Sequence, residues 1–337
     1  MNNDNNLFSQ ITPDVIIKEI EQLDDQQKDA HNRKSISATD LLNRRIDKIP
    51  CIIEPIIQKI GLACIAGSSD AGKSSFLRHL CMCIVSGKTD FLGFPINATH
   101  RRAIYVSTED DDTAISFLLN KQNKDMQLEP EKVHGLQFIF DTENLLQSLD
   151  EKLSEHPSDI VCIDAFSDLY ERSMNEGNQV RGFLNDYSQL AQKHQCLIMF
   201  LHHLGKRKEE LVPSKHNLLG SQAIEAKMRL VLELRSDISG TNSRHLCIVK
   251  GNYLPATAKN ESYQLRFTEN MTFVNTGDRI PFESLSKITS DGQQKYNEVK
   301  AYLSAGHSQE EAASYFGYAN KSSISRLLKN YENYIVA

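Results

Sequence analysis

The chain has 337 residues, 24% of them charged and 40% hydrophobic, with a formal net charge of −6. That length accommodates a full α/β domain plus one or two small modules, and the acidic balance excludes a protein coated in basic charge, so any nucleic-acid contact must come from local patches. The start MNNDNNLFSQ has neither a basic run nor an apolar signal core and no apolar run approaches membrane-spanning length, which together predict a cytoplasmic protein with no membrane partner.

Seven cysteines are present, an odd count, and several (Cys64, Cys162, Cys196, Cys247) fall inside apolar runs, as expected of buried reduced thiols. Cys81-Met82-Cys83 lacks a second pair at metal-ligand spacing, which argues against zinc. In chain order, residues 1–47 form a polar arm with one candidate amphipathic helix from Pro13 to Gln27, carrying Val15, Ile16, Ile20 and Leu23 on one face. Residues 47–58, with two prolines among apolar neighbours, lead into a core domain expected over 48–280.

The core is organised around residues 60–80. An apolar strand-like run, Leu62 to Ala66, precedes Gly67-Ser68-Ser69-Asp70-Ala71-Gly72-Lys73-Ser74-Ser75, and a helical pattern (Phe76, Leu77, Leu80) follows. This is G-x-x-x-x-G-K-[ST] in its strand–loop–helix context, a phosphate-binding P-loop. Successive backbone N–H groups must curl around a polyphosphate, so small residues and glycine line the loop and the next helix points its positive end at the anion. Lys73 is placed for the β- and γ-phosphates of ATP, and the Ser74 hydroxyl for Mg2+.

A second strand, Ala103 to Val106, runs into Ser107-Thr108-Glu109-Asp110-Asp111-Asp112. Carboxylates at the C-terminal end of a parallel strand lie on the ligand edge of the sheet. Glu109, the first acid, is the candidate to orient or deprotonate water, while the aspartates cap a helix beginning near Asp112. Asp159 to Asp164 is an apolar run delivering a carboxylate, a Walker B pattern in which Asp164 holds Mg2+ through water and Asp168 is a weaker candidate. After a polar loop (171–178) and a helix from Val180 to Lys193, a fourth strand, Cys196 to Leu201, ends in His202-His203, beside the expected γ-phosphate. The stretch beyond is basic, with Lys206, Arg207, Lys208 and Lys215, and reads either as a solvated loop or as one moved by nucleotide state. Hairpins follow: Leu230–Leu234 with His245–Lys250, then Tyr263–Phe267 with Met271–Val274.

Residues 288–337 form a separate helical unit. Ser308-Gln309-Glu310-Glu311 is a capping box, Gly317 sits in the joint, and the following helix turns Ile324, Leu327 and Leu328 inward with Lys321 and Arg326 outward. Two short helices around a glycine joint match a helix-turn-helix, with a protein-contact bundle as the alternative.

The order of these features resembles the RecA-like ATPase core, and more narrowly the RepA-type hexameric replicative helicases of plasmids and mobile elements, over about residues 48–278. GSSDAGKSS matches the family's Walker A, YVSTEDDDTAI its motif with a catalytic Glu, IVCIDAFSDL its Walker B, and MFLHHLGK its sensor strand and the start of a DNA-facing loop. LLGSQAIEAKMRLVLEL and LCIVKGNYLP resemble the closing motifs, where a cation reaches the neighbouring subunit's nucleotide; Arg229, Arg244 and Lys250 are the candidates. The resemblance implies that Lys73, Glu109 and His203 serve catalysis, that Ser74 and Asp164 serve the metal, and that the Lys206–Lys215 loop grips single-stranded DNA in a ring. The C-terminal unit departs from the core pattern; GYANKSSISRLLK resembles half of an AraC-type duplex-binding helix pair. The expectation is an α/β fold with a mostly parallel sheet plus a small helical domain. Its function would be an ATP-driven DNA motor, with an ATP-dependent DNA-binding regulator or an assembly adaptor as the alternatives.

Overall fold

The computed structural model describes residues 35–170, 176–204, 208–218, 221–237, 241–286 and 290–335. The expected helix at residues 13–27, most of the polar loop at 171–178, and Lys206 with Arg207 lie outside the described residues. The chain divides into two compact units, residues 1–49 and 50–337. In the first, α1 (Ala38–Asn43) is a short exposed helix capped by the Ser37 hydroxyl, which accepts the Asp40 N–H at 3.1 Å.

The second unit is built on a nine-stranded sheet. Its strands are β1 (Gly61–Gly67), β2 (Ala103–Ser107), β3 (Leu136–Ile139), β4 (Ile160–Asp164), β5 (Leu197–His203), β6 (Leu230–Ser236), β7 (Ser243–Gly251), β8 (Glu261–Phe267) and β9 (Phe273–Pro281). Their spatial order is β9-β8-β7-β6-β1-β5-β4-β2-β3, parallel from β6 to β3 and antiparallel from β6 to β9. Helices α2 (Lys73–Val85), α3 (Asp112–Met126), α4 (Leu145–Glu155), α5 (Phe166–Leu169), α6 (Gly177–Lys193) and α7 (Ser221–Lys227) belong to the same unit.

Why the central strands are apolar throughout is visible in the core. Along β1, Ala63 and Ile65 join one buried cluster, with Phe76, Leu77 and Leu80 of α2, while Leu62, Cys64 and Ala66 join the other, with Leu149, Leu184 and Ile224 of α4, α6 and α7. Strand β4 divides the same way, Ile160 and Cys162 against Val161 and Ile163. A period of two with both faces covered removes the polar alternation of a half-exposed sheet. The thiols of Cys64 and Cys83 are pushed up to about 12, chiefly by burial, so they are inert apolar filling.

Some boundaries differ from the sequence expectation. Strand β5 continues through His203 because His202 and His203 pair with Ala66 and Gly67 of β1. Met271 is not in a strand: its φ is 63°, inside a turn closed by the Thr268 N–H on the Thr272 carbonyl at 3.0 Å, so β9 starts later and runs to Pro281. Strand β3 and helix α4 had no counterpart in the sequence expectation. The first is a four-residue edge strand, and the second is marked only by Leu145, Leu149 and Leu153 on one face.

Three C-terminal helices, α8 (Ser290–Ser304), α9 (Gln309–Tyr315) and α10 (Lys321–Ile335), enclose a small cluster of Val299, Ala312, Ala313 and Ile324. The Ser308–Glu311 capping box starts α9, and Gly317, at φ 75°, turns the chain toward α10. Among the described residues no helix is long and apolar enough to cross a membrane.

Candidate nucleotide-binding site

Parallel register gathers the site. Gly67 at the end of β1 pairs with His203 at the end of β5, and Ser107 at the end of β2 pairs with Asp164 at the end of β4. The ends of these strands therefore open on one edge, where the chain reverses its order across the sheet, the crevice in which α/β proteins hold ligands.

The loop from Gly67 to Gly72 can take only small residues at its ends. A Cβ on Gly67 would lie 2.3 Å from the Leu234 carbonyl oxygen of β6, and Gly72, at φ 93°, begins α2 with Phe273 against it. Ser68 and Ala71 are buried, whereas Ser69 and Asp70 are exposed. Unlike α3, whose first turn is capped by the Asp111 carboxylate, α2 has no side-chain cap, so its N–H groups face the loop's concavity. Lys73 is 4% exposed, and its ammonium donates to the Ser68 carbonyl at 2.6 Å and lies 3.5 Å from His203 Nδ1.

Asp164 is 6% exposed. Its Oδ2 accepts the Tyr105 hydroxyl at 2.5 Å, and its Oδ1, also buried, has no hydrogen-bond partner among the described residues. The same Tyr105 hydroxyl lies 3.5 Å from the Ser74 carbonyl, so β2 ties the Walker B aspartate to the start of α2. An orphaned carboxylate oxygen tied in this way to the residue that bears the Ser74 hydroxyl fits Mg2+, which keeps most of its waters and takes few protein oxygens. Among the described residues no cluster of three His, Cys, Asp or Glu could hold a metal unaided, as expected where phosphates complete the shell.

Glu109 leaves β2 with its side chain 56% exposed and Oε1 3.7 Å from His203 Nε2. His203 thus stands between Lys73 and Glu109, touching both. Behind them, Thr108 donates its hydroxyl to Asp168, and its N–H binds the Asp164 carbonyl at 2.8 Å, locking the β2 and β4 ends together.

The candidate trans-acting cations part company. Arg244 stays with its own subunit's loop: its Nε donates to the Ala71 carbonyl at 3.0 Å and its guanidinium lies over Phe267. Arg229 and Lys250 sit at the far edge of the sheet, at the start of β6 and the end of β7. There Lys250 is held by Glu225 at 3.3 Å, while Arg229 is exposed, its side chain without a partner among the described residues. Of the basic loop, Lys215 pairs with Glu225 at 3.1 Å and Lys208 reaches the His216 carbonyl at 3.4 Å. Lys321 lies 3.8 Å from Glu310, and Arg326 is exposed on α10. Sequence reasoning missed Tyr105 and Arg78, both fully buried. Tyr105 is polar within an apolar strand, a signal that such a hydroxyl has a partner.

A family model described as an AAA domain matches residues 27–209, more than half of the chain. The fold is similar to the solved ATPase domain of a helicase at 14% identity, covering 70% of this chain and 95% of that one with a TM-score of 0.53. A second solved structure, the RadB recombinase, aligns at 14% identity over 64% of this chain and 90% of its own, with a TM-score of 0.47. At such identity a likeness establishes the fold alone. No curated protein sequence matches the chain.

Proposed function

Because the chain belongs to the AAA domain family and carries a RecA-like P-loop ATPase core, we propose that it is an ATP-hydrolysing motor on DNA, a hexameric replicative helicase of a plasmid or mobile element. The observation that carries the reading is the convergence of Lys73, His203 and Glu109, with contacts of 3.5 and 3.7 Å, on the edge where Asp164 keeps an unpartnered oxygen. In that reading Lys73 exchanges the Ser68 carbonyl for a phosphate oxygen, and residues 67–75 cradle the rest of the triphosphate. Ser74 and Asp164 Oδ1 hold Mg2+, which neutralises phosphate charge when bound. Glu109 accepts a proton from the attacking water. His203, in contact with both Lys73 and Glu109, reports the γ-phosphate to the segment that follows β5, whose Lys206, Arg207, Lys208 and Lys215 grip a single strand by charge.

Arg229 and Lys250, remote from their own subunit's P-loop, are the cations offered to a neighbour in a ring, where a positive charge stabilises the transition state. Residues 48–280 would be the motor and 288–337 a helix-turn-helix. A second reading draws on α10, whose exposed Lys321 and Arg326 share a helix entered through the Gly317 joint: an ATP-dependent regulator or initiator bound to duplex DNA. The deciding experiment is ATP hydrolysis by the full chain alone, with single-stranded DNA and with duplex. Stimulation by the single strand, lost in Glu109→Gln with nucleotide binding retained and lost with binding in Lys73→Ala, supports the motor. Stimulation by duplex alone favours the regulator.

A further inference from the structure

The largest side chain in the fully buried core is a charged one. Arg78, on α2, is 2% exposed, yet its Nε and Nη1 have no hydrogen-bond partner among the described residues, and its Nη2 reaches Ser75 Oγ only at 3.4 Å. A buried guanidinium is strongly destabilising unless paired and hydrogen-bonded, so a chain that retains one there must supply it an acceptor. The groups around it limit the choice. The Tyr105 hydroxyl is committed to Asp164. Gln122 is fully buried and pinned through Nε2 to the Ser75 and Met271 carbonyls, each at 2.8 Å, leaving Oε1 as a neutral acceptor. The carboxylate in reach is Asp110, whose Oδ2 lies 4.0 Å from Arg78 Nη1 with the side chain 42% exposed.

Asp110 belongs to the turn that carries Glu109. That turn is closed by the Ser107 hydroxyl on the Asp110 carbonyl at 2.8 Å and anchored beyond by Asp111, which caps α3. Glu109 faces His203 on β5 at 3.7 Å, while its neighbour Asp110 faces Arg78 on the P-loop helix. We propose that Arg78 is a positioning residue for hydrolysis: it draws the Asp110 carboxylate into a charge-assisted hydrogen bond and thereby fixes the turn that aims Glu109 at its water. The inference rests on Glu109 as the base. Closing the pair from 4.0 Å to the roughly 2.8 Å of such a bond moves the turn by about an ångström, and misplacement on that scale costs about 10²-fold in rate.

The test uses the full chain and measures kcat, affinity for a fluorescent ATP analogue and melting temperature for wild type, Glu109→Gln, Asp110→Asn, Asp110→Glu, Arg78→Lys and Arg78→Met. Asp110→Asn should lower kcat by at least about tenfold with nucleotide affinity held within about twofold, and Asp110→Glu should recover most of it. Asp110→Asn combined with Arg78→Met should be no slower than Arg78→Met alone, because both remove one interaction. If Arg78→Met fails to fold, Arg78→Lys and the partly exposed Asp110 variants still decide the matter. An Asp110→Asn enzyme with wild-type kcat overturns the proposal while leaving Glu109 in place, as does a parallel fall in affinity and melting temperature, the mark of a structural role. A Glu109→Gln enzyme that hydrolyses normally overturns both this inference and the reading beneath it.

Discussion

Tyr105→Phe removes a single oxygen from the most enclosed part of the site. Tyr105 is 0% exposed, and its hydroxyl donates at 2.5 Å to an Asp164 carboxylate whose other oxygen already has no partner among the described residues. Burial first, and the charge of Asp164 second, hold the phenol well above its ordinary pKa, so it remains a donor across the working pH range. A hydrogen bond to a charged group contributes about 1.5–3 kcal/mol, and the stranded acceptor keeps its desolvation penalty. Taking about 2 kcal/mol, and about 2–4 °C per kcal/mol for a domain of this size, the melting temperature should fall by about 4–8 °C. Since Asp164 is also the proposed Mg2+ ligand, loss of the group that orients it should raise the Mg2+ concentration needed for half-maximal turnover by about 10- to 100-fold. Thermal unfolding followed by circular dichroism gives the first number and a Mg2+ titration of ATP hydrolysis the second. A melting point within about 1 °C of wild type, with an unchanged Mg2+ requirement, would refute the account of Tyr105 as the support of Asp164.

Other perturbations have equally definite outcomes. Gly67→Ala places a Cβ 2.3 Å from the Leu234 carbonyl oxygen on a paired strand, which cannot yield without breaking the ladder; nucleotide binding should be lost with about 1–3 kcal/mol of stability, read by analogue titration and urea unfolding. Burial, followed by the Lys88 charge, lowers His79 to about 4. It is neutral in both states above about pH 6.5, and below that the unfolded chain takes up the proton first. His79 therefore accounts for about 3 kcal/mol of stability that is intact above about pH 6.5 and lost as the pH falls toward about 4. His79→Gln should flatten the pH dependence of urea unfolding in that window. Neutralising Lys206, Arg207 and Lys208 together should weaken stimulation by single-stranded DNA and make it less sensitive to salt; unchanged stimulation and salt dependence would remove that segment from the DNA path.

The phosphate loop, the acidic turn and the Walker B strand were legible because each is a contiguous stretch whose chemistry depends on local spacing. Residues 67–75 state the loop's requirements in their own sizes, and Asp111 and Ser308 cap the helices they precede. Strand β3, four residues at the sheet edge, and helix α4 carried too little pattern to announce themselves. The partnerships across the chain were not legible at all. That Arg244 binds its own Ala71 carbonyl, 173 positions away, while Arg229 is exposed at the opposite edge, follows from the antiparallel return of β7 beside β6.

By itself, then, the sequence determined that a P-loop lies between a strand and a helix, that carboxylates end the strands at 109 and 164, and that a small helical unit follows, since these are consequences of neighbouring residues. Only the tertiary structure decided that Gly67 meets His203, that Ser107 meets Asp164, and that Tyr105 and Arg78 stand behind the acidic groups. Strand order and register are set by burying both faces of the whole sheet at once, a condition on all strands together that no single stretch contains.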